Sequence, residues 1–232
     1  MRKKVGIIFI VLAMLMFGLY FGTGTIIKFF SKSNPEVISD ITHEEIQENN
    51  QREAIFQWDA ITAIDSISVL KTAGPIDKDA IIGQMIIPEL EIDLPVLRGL
   101  TAENLNHGVA TLYSDVRMGE ANFAIAGHNM GSHNVLLNRL YDMPERPFDL
   151  YLHDKKTVYH YVIYAKLHTD QYAFQYTEQA EADRHGSPIV SILTCDRPYE
   201  EDQRIFVMAE LVDTYPYTIP LELKPSEKTK KN

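Results

Sequence analysis

The sequence predicts a mostly β domain, a barrel or a sandwich, behind an N-terminal membrane-crossing helix. Three observations carry this. Short apolar segments recur between turn signals from Asp79 onward. One of them alternates with a period of two over Val158 to Leu167. A near-continuous apolar run fills residues 5–27, behind the basic start Met1-Arg2-Lys3-Lys4.

In chain order, residues 1–4 read as a cytoplasmic basic N-terminus and 5–27 as a transmembrane signal-anchor, since a helix needs about 20 apolar residues to span a bilayer. A cleaved signal peptide has a shorter apolar core and an A-x-A-like site, which Gly22-Thr23-Gly24 does not supply. The basic cluster ahead of the span, with an acidic chain behind it, places the bulk of the protein outside the cytoplasm, although Lys28 and Lys32 reduce the asymmetry. The expected location is the cell membrane, single-pass.

Residues 28–78 read as an acidic extracytoplasmic stalk. From Ser33 to Asp59, seven carboxylates face only Arg52. Thr42 and Glu45 have capping-box spacing, and Ile41, Ile46, Ile55 and Trp58 could mark a narrow apolar stripe on a spacer helix. The folded domain is expected over 79–222, with a polar, Lys-rich flexible tail over 223–232.

Within that domain, strands are expected over 81–87, 92–97, 123–126, 156–167, 188–194 and 204–212. Tyr159, Tyr161, Ile163, Ala165 and Leu167 would share one face of the fourth, an aromatic-rich core side. Pro88 and Pro95 place the first two segments at strand starts or sheet edges. Two helices are expected, a short one over 102–106 capped by Thr101 and another over 134–142.

Twenty-two Lys+Arg against 32 Asp+Glu leave a formal charge of -10, which repels phosphate backbones and argues against a nucleic-acid partner. An exported domain commonly pairs its cysteines, and this chain has one, Cys195. A lone exported thiol either packs in a core or does chemistry. Cys195 follows the apolar run Ile189-Val190-Ser191-Ile192-Leu193 and precedes Asp196-Arg197-Pro198, so a strand would hold it rigidly and a loop would leave the sulfur reachable. The thiolate is the reactive form and a free thiol has a pKa near 8.5, so activation by a base or cation is needed.

Of eight histidines, His128 is the strongest partner, because it ends the strand-like Phe123-Ala124-Ile125-Ala126 after Gly127. Spacing alone does not select it. Arg204 opens the last strand, and a strand–loop–strand return would bring its guanidinium beside Cys195, where its planar fork could hold a peptide carbonyl or an oxyanion. A surface arginine at a strand start is the competing reading.

Ala126-Gly127-His128, then Leu193-Thr194-Cys195, then Arg204-Ile205-Phe206-Val207, each in a strand context and in this order, resembles the sortase signature. Ile87-Pro88, Leu94-Pro95-Val96, Gly99 and Leu105-Asn106-His107-Gly108 extend the likeness over residues 79–212. The resemblance implies a closed, mostly antiparallel eight-stranded β-barrel and a cysteine transpeptidase of Gram-positive bacteria. Cys195 would attack the Thr–Gly bond of an LPxTG-like sorting signal and form an acyl-thioester, and His128 would serve as acid and then base. Arg204 would orient substrate or stabilise the oxyanion, with Ala126, Leu193 and Thr194 lining the groove. The partners implied are LPxTG-type surface proteins and an amine of a peptidoglycan precursor resembling lipid II.

A single N-terminal anchor and the absence of an Asp-Pro-aromatic lid resemble class A, the housekeeping type. Ser191-Ile192-Leu193-Thr194-Cys195 departs conservatively from the family's Thr-Leu-x-Thr-Cys. Some class A relatives bind calcium in the loop before the His-bearing strand. Here that loop, 114–120, offers only Asp115 and Glu120, with Glu178, Glu181 and Asp183 elsewhere, so no cofactor is expected. The alternatives are a hydrolytic membrane-anchored cysteine peptidase with the same residues, or a non-catalytic tethered binding module.

Overall fold

The computed structural model describes residues 4–18, 34–61, 74–129, 135–195 and 202–225. Helix α1 covers residues 4–18 and exposes its apolar side chains, among them Ile7, Phe9 and Met16. Among the described residues no helix is long and apolar enough to cross a membrane. The remainder of the expected span, 19–27, lies outside the described residues, as do 196–201 after Cys195 and 226–232 of the tail.

The acidic segment differs from a solvated spacer. Helices α2 (Asn34–Asp40) and α3 (His43–Gln51) dock on the barrel: Ile38 is buried, and Ile41 and Ile46 pack with Ile81 and Leu97. Thr42 and Glu45 form the capping box their spacing predicts. Buried Asn49 donates to the carbonyls of Lys78 and Ile81 at 2.9 and 2.8 Å. The carboxylates face outward, because Glu44, Glu45 and Glu48 alternate with the apolar contact positions around the helix.

Eight strands follow: β1 (Ile81–Ile87), β2 (Ile92–Leu97), β3 (Val109–Thr111), β4 (Asn122–Ala126), β5 (Phe148–His153), β6 (Thr157–Asp170), β7 (Ile189–Cys195) and β8 (Gln203–Pro216). They close into a barrel in the order β1-β2-β3-β4-β7-β8-β6-β5, so the sheet has no free edge. The β2–β3 and β4–β7 pairs are parallel and the others antiparallel. Helix α4 (Ala102–His107) is capped by Thr101, whose hydroxyl accepts from the Asn104 N–H at 3.2 Å. The helix expected over 134–142 reduces, among its described residues, to one 3₁₀ turn, Asn138–Leu140. Leu136 there adopts a left-handed φ of 54°, which breaks helical continuation while Leu137 and Leu140 turn into the core.

Alternation sorts the strand residues into two clusters. Phe123, Ile125, Val190, Ile192, Ile205, Val207 and Tyr161 fill the interior. Ala124, Ala126, Leu193, Phe206 and Met208 form an outer layer beneath Ile61, Leu105 and Ala182, the last on helix α5 (Gln179–His185). Strand β6 contributes to both because its register with β8 shifts between Ile163 and Ala165. The extra residue turns Ala165 and Leu167 outward, although they share parity with the inward Tyr161 and Ile163.

Candidate functional site

Cys195 and Arg204 are paired directly across the antiparallel β7–β8 ladder. Opposed residues in such a ladder project their side chains to one side. Cys195 has the parity of Leu193, and Arg204 that of Phe206, so both stand on the outer face. Both are buried, as is His128.

The parallel β4–β7 ladder aligns Ala126 with Leu193 and ends there. His128 and Cys195 each lie two residues further on, so the two strands deliver them to the same end of the barrel. Gly127 makes the approach possible. Its N–H donates to the Leu193 carbonyl at 3.1 Å, and a Cβ there would meet Leu137 Cδ1 at 2.7 Å. Three residues from three neighbouring strand ends thus converge.

Burial alone pushes the His128 imidazole down to about 3, so it rests neutral in the substrate-free protein. The Arg204 guanidinium donates through Nη1 to the Gln203 carbonyl at 3.1 Å and through Nη2 to the Ile61 carbonyl at a longer 3.4 Å. Ile61 ends a 3₁₀ turn, Trp58–Ile61, that lies over the outer layer. Trp58 packs on Tyr113 and Phe174 with ring centroids 5.4 and 5.3 Å apart. The chain reaches this position through the Phe56–Leu100 bridge and past Gly99, whose φ of 91° and lack of a Cβ admit the Ile55 carbonyl.

The remaining predicted residues divide. Ala126 and Leu193 share the face of Cys195 but are fully buried under the cover just described. Thr194 alternates to the barrel interior and does not share that face; its Oγ1 is buried without a hydrogen-bond partner. Asp115 and Glu120 line a separate polar cavity of about 460 Å³ together with Arg98, Arg117 and Lys156. Among the described residues no three His, Cys, Asp or Glu side chains converge as metal ligands.

Sequence reasoning missed two groups at the site. Asn129 donates its Nδ2 to the Cys195 carbonyl at 3.1 Å, and the Ile61 carbonyl sits at Arg204. The polarity of an Asn after the Gly-His corner was a weak signal for the first. A main-chain carbonyl leaves none for the second. The loop after β6 is held by a buried polar knot: Ser191 Oγ donates to Asn122 Oδ1 at 2.8 Å, and Asn122 Nδ2 donates to the carbonyls of Tyr176 and Glu178 at 3.0 and 2.9 Å.

A model of the sortase domain matches residues 85–212, from within β1 to within β8 and over more than half the chain. Sortase A of Listeria monocytogenes is 29% identical over 224 residues, covering 97% of this chain and 97% of its own length. Sortase A of Bacillus anthracis is 30% identical over 139 residues, 60% of this chain and 63% of its own. The solved structure of Listeria monocytogenes sortase A is 27% identical and superposes with a TM-score of 0.55 over 62% of this chain and 94% of that one. Sortase C-3 of Streptococcus pneumoniae, 19% identical, shares the fold with a TM-score of 0.58 over 80% of this chain and 92% of its own. Class A and class C structures both match, so the likeness does not single out a class. With six of the eight strands wholly and the other two partly inside the matched region, the chain belongs to the sortase family, cysteine transpeptidases that anchor surface proteins.

Proposed function

We propose that the chain is a class A sortase, anchored through residues 5–27, that cleaves an LPxTG-like signal between Thr and Gly and transfers the acyl part to an amine of a peptidoglycan precursor. The observation that carries this reading is the meeting of His128, Cys195 and Arg204 at adjacent ends of β4, β7 and β8. Neutral His128 takes the Cys195 thiol proton. The thiolate attacks the Thr carbonyl carbon, and the resulting imidazolium protonates the departing Gly amine as the C–N bond breaks. An acyl-thioester remains. The incoming amine attacks it, returns a proton to His128 and releases the sulfur.

Arg204 holds the carbonyl whose oxygen gains charge in both steps. That it already faces the Ile61 carbonyl supports this role, since a peptide carbonyl is the group it would meet in substrate. A sorting peptide entering here displaces the Trp58–Ile61 turn. Ala126 and Leu193 then line its path, while Thr194, facing inward, shapes the groove from beneath. No resident metal takes part.

The test is transfer of a quenched LPxTG-type peptide to an oligoglycine amine, with and without a chelator. Ligated product that rises with amine concentration, survives the chelator and is abolished in Cys195→Ala is expected. Exclusive hydrolysis at every amine concentration would replace the transpeptidase by a peptidase.

A further inference from the structure

Asn129 directly follows His128, and its side chain is buried. Its carboxamide bridges two groups: Nδ2 donates to the Cys195 carbonyl at 3.1 Å, and Oδ1 accepts from Asn138 Nδ2 at 3.3 Å. The amide orientation follows from chemistry, because a backbone carbonyl only accepts and the nitrogen must therefore face Cys195. His128 is tied on each side as well. The Gly127 N–H donates to Leu193 and the His128 carbonyl accepts from the Leu137 N–H, both at 3.1 Å. Two of these four bonds, to Cys195 and Leu193, end on β7, the strand that carries the sulfur.

The β4–β7 ladder stops at Ala126 and Leu193, whereas β8 pairs with Cys195 itself. The backbone of Cys195 is thus fixed by strand pairing on the Arg204 side, and no ladder rung fixes it on the His128 side. The Asn129 carboxamide occupies that place. We propose that Asn129, oriented by Asn138, is a positioning residue that sets the separation of His128 and Cys195. Its action runs through the carbonyl of the nucleophile's own residue and touches no reacting atom. Proton transfer between imidazole and sulfur depends steeply on this geometry, which strand pairing alone leaves open on one side. The inference rests on the assignment of His128 and Cys195 as the reacting pair.

The experiment uses the full chain with Asn129→Ala, Asn138→Ala and both together, each also in a His128→Gln background. Two quantities are read: steady-state transfer of the sorting peptide, and the rate at which a small haloacetamide alkylates Cys195 across pH. Asn129→Ala is expected to lower kcat about tenfold with KM within about twofold. Asn138→Ala acts in the same direction and less, and the double variant is no slower than Asn129→Ala, since the two act as one unit. In the His128→Gln background Asn129→Ala leaves the alkylation rate unchanged. Asn129→Asp keeps the volume but turns a donor into an acceptor facing a carbonyl; it provides a second variant should the alanine fold poorly, and is expected to be at least as slow.

An unchanged kcat, an equal drop in alkylation in both His128 backgrounds, or a loss that follows the unfolded fraction by near-UV circular dichroism overturns the proposal. Failure of the parent reading looks different: the unmodified chain then shows no peptide turnover dependent on Cys195, while the alkylation cycle still reports whether Asn129 couples His128 to the sulfur.

Discussion

On strands β4, β7 and β8 the inward residues Phe123, Ile125, Val190, Ile192, Ile205 and Val207 are all apolar and buried, whereas the outward positions mix apolar groups such as Ala126, Leu193 and Phe206 with Ser191, Cys195 and Arg204. Both faces are dry, but they are dry for different reasons. The inner face is closed by the barrel itself, and its apolar side chains need no hydrogen bonds beyond the ladder; Thr194, whose buried Oγ1 has no partner, is the exception on these strands. The outer face is closed by added cover, namely the Trp58–Ile61 turn, α4 and α5. Every polar group beneath that cover has to find a partner. Ser191 finds Asn122 and Tyr176, and Arg204 finds Gln203 and Ile61. A period of two therefore lets one strand serve stability with one set of side chains and present chemistry with the other.

The sharpest way to break this comparison is to damage only the inner face. Phe123→Ala removes a fully buried ring and is expected to cost about 3–5 kcal/mol in denaturant unfolding, while the folded fraction keeps its turnover per molecule. Loss of turnover ahead of loss of folding would mean the two faces are not separable.

A smaller effect comes from acid acting on the outer positions. Burial lowers His128 to about 3 and His153, packed at a tilt against Tyr217 outside β5, to about 4. Both folded values lie below the ordinary 6.5, so the unfolded chain takes up protons the fold refuses. Stability is complete above about pH 6.5 and declines as pH falls toward 4, by on the order of 1 kcal/mol per pH unit for each histidine. Thermal midpoints from pH 7 to about 4.5 check this, a window above the ordinary carboxylate range. A flat profile there would show that neither imidazole is held neutral by the fold.

The strand ends were legible in the sequence because apolar runs bounded by Gly, Pro and charge mark them; 81–87 and 92–97 coincide with β1 and β2. Strand β3 is three residues long and carries too little pattern to read. Strand β5 does alternate, as Phe148, Leu150 and Leu152, and was readable in principle. So was α5, whose Arg184 and His185 precede a left-handed Gly186 cap. The face change in β6 was not, since the bulge is defined by its partner β8 and leaves the local alternation intact. The same distinction holds at the site. His128, Cys195 and Arg204 advertise themselves by residue type at strand ends, while the Asn129 bond to the Cys195 carbonyl and the Ile61 carbonyl at Arg204 exist only through space. Likewise, composition marked the acidic segment as solvated, but Ile38, Ile41 and Ile46 decide where it lies, because burying them outweighs exposing carboxylates that face water in either case.

The central claim is that the outer face makes a covalent intermediate at Cys195. Mixing the chain with an LPxTG-type peptide in the absence of any added amine, quenching in acid and measuring intact mass tests it most directly. The predicted result is one added acyl group, ending at the Thr carbonyl, mapped to Cys195, removed by hydroxylamine and absent from Cys195→Ala. Peptide cleavage that persists in Cys195→Ala, or an acyl group mapped to any other residue, would contradict it.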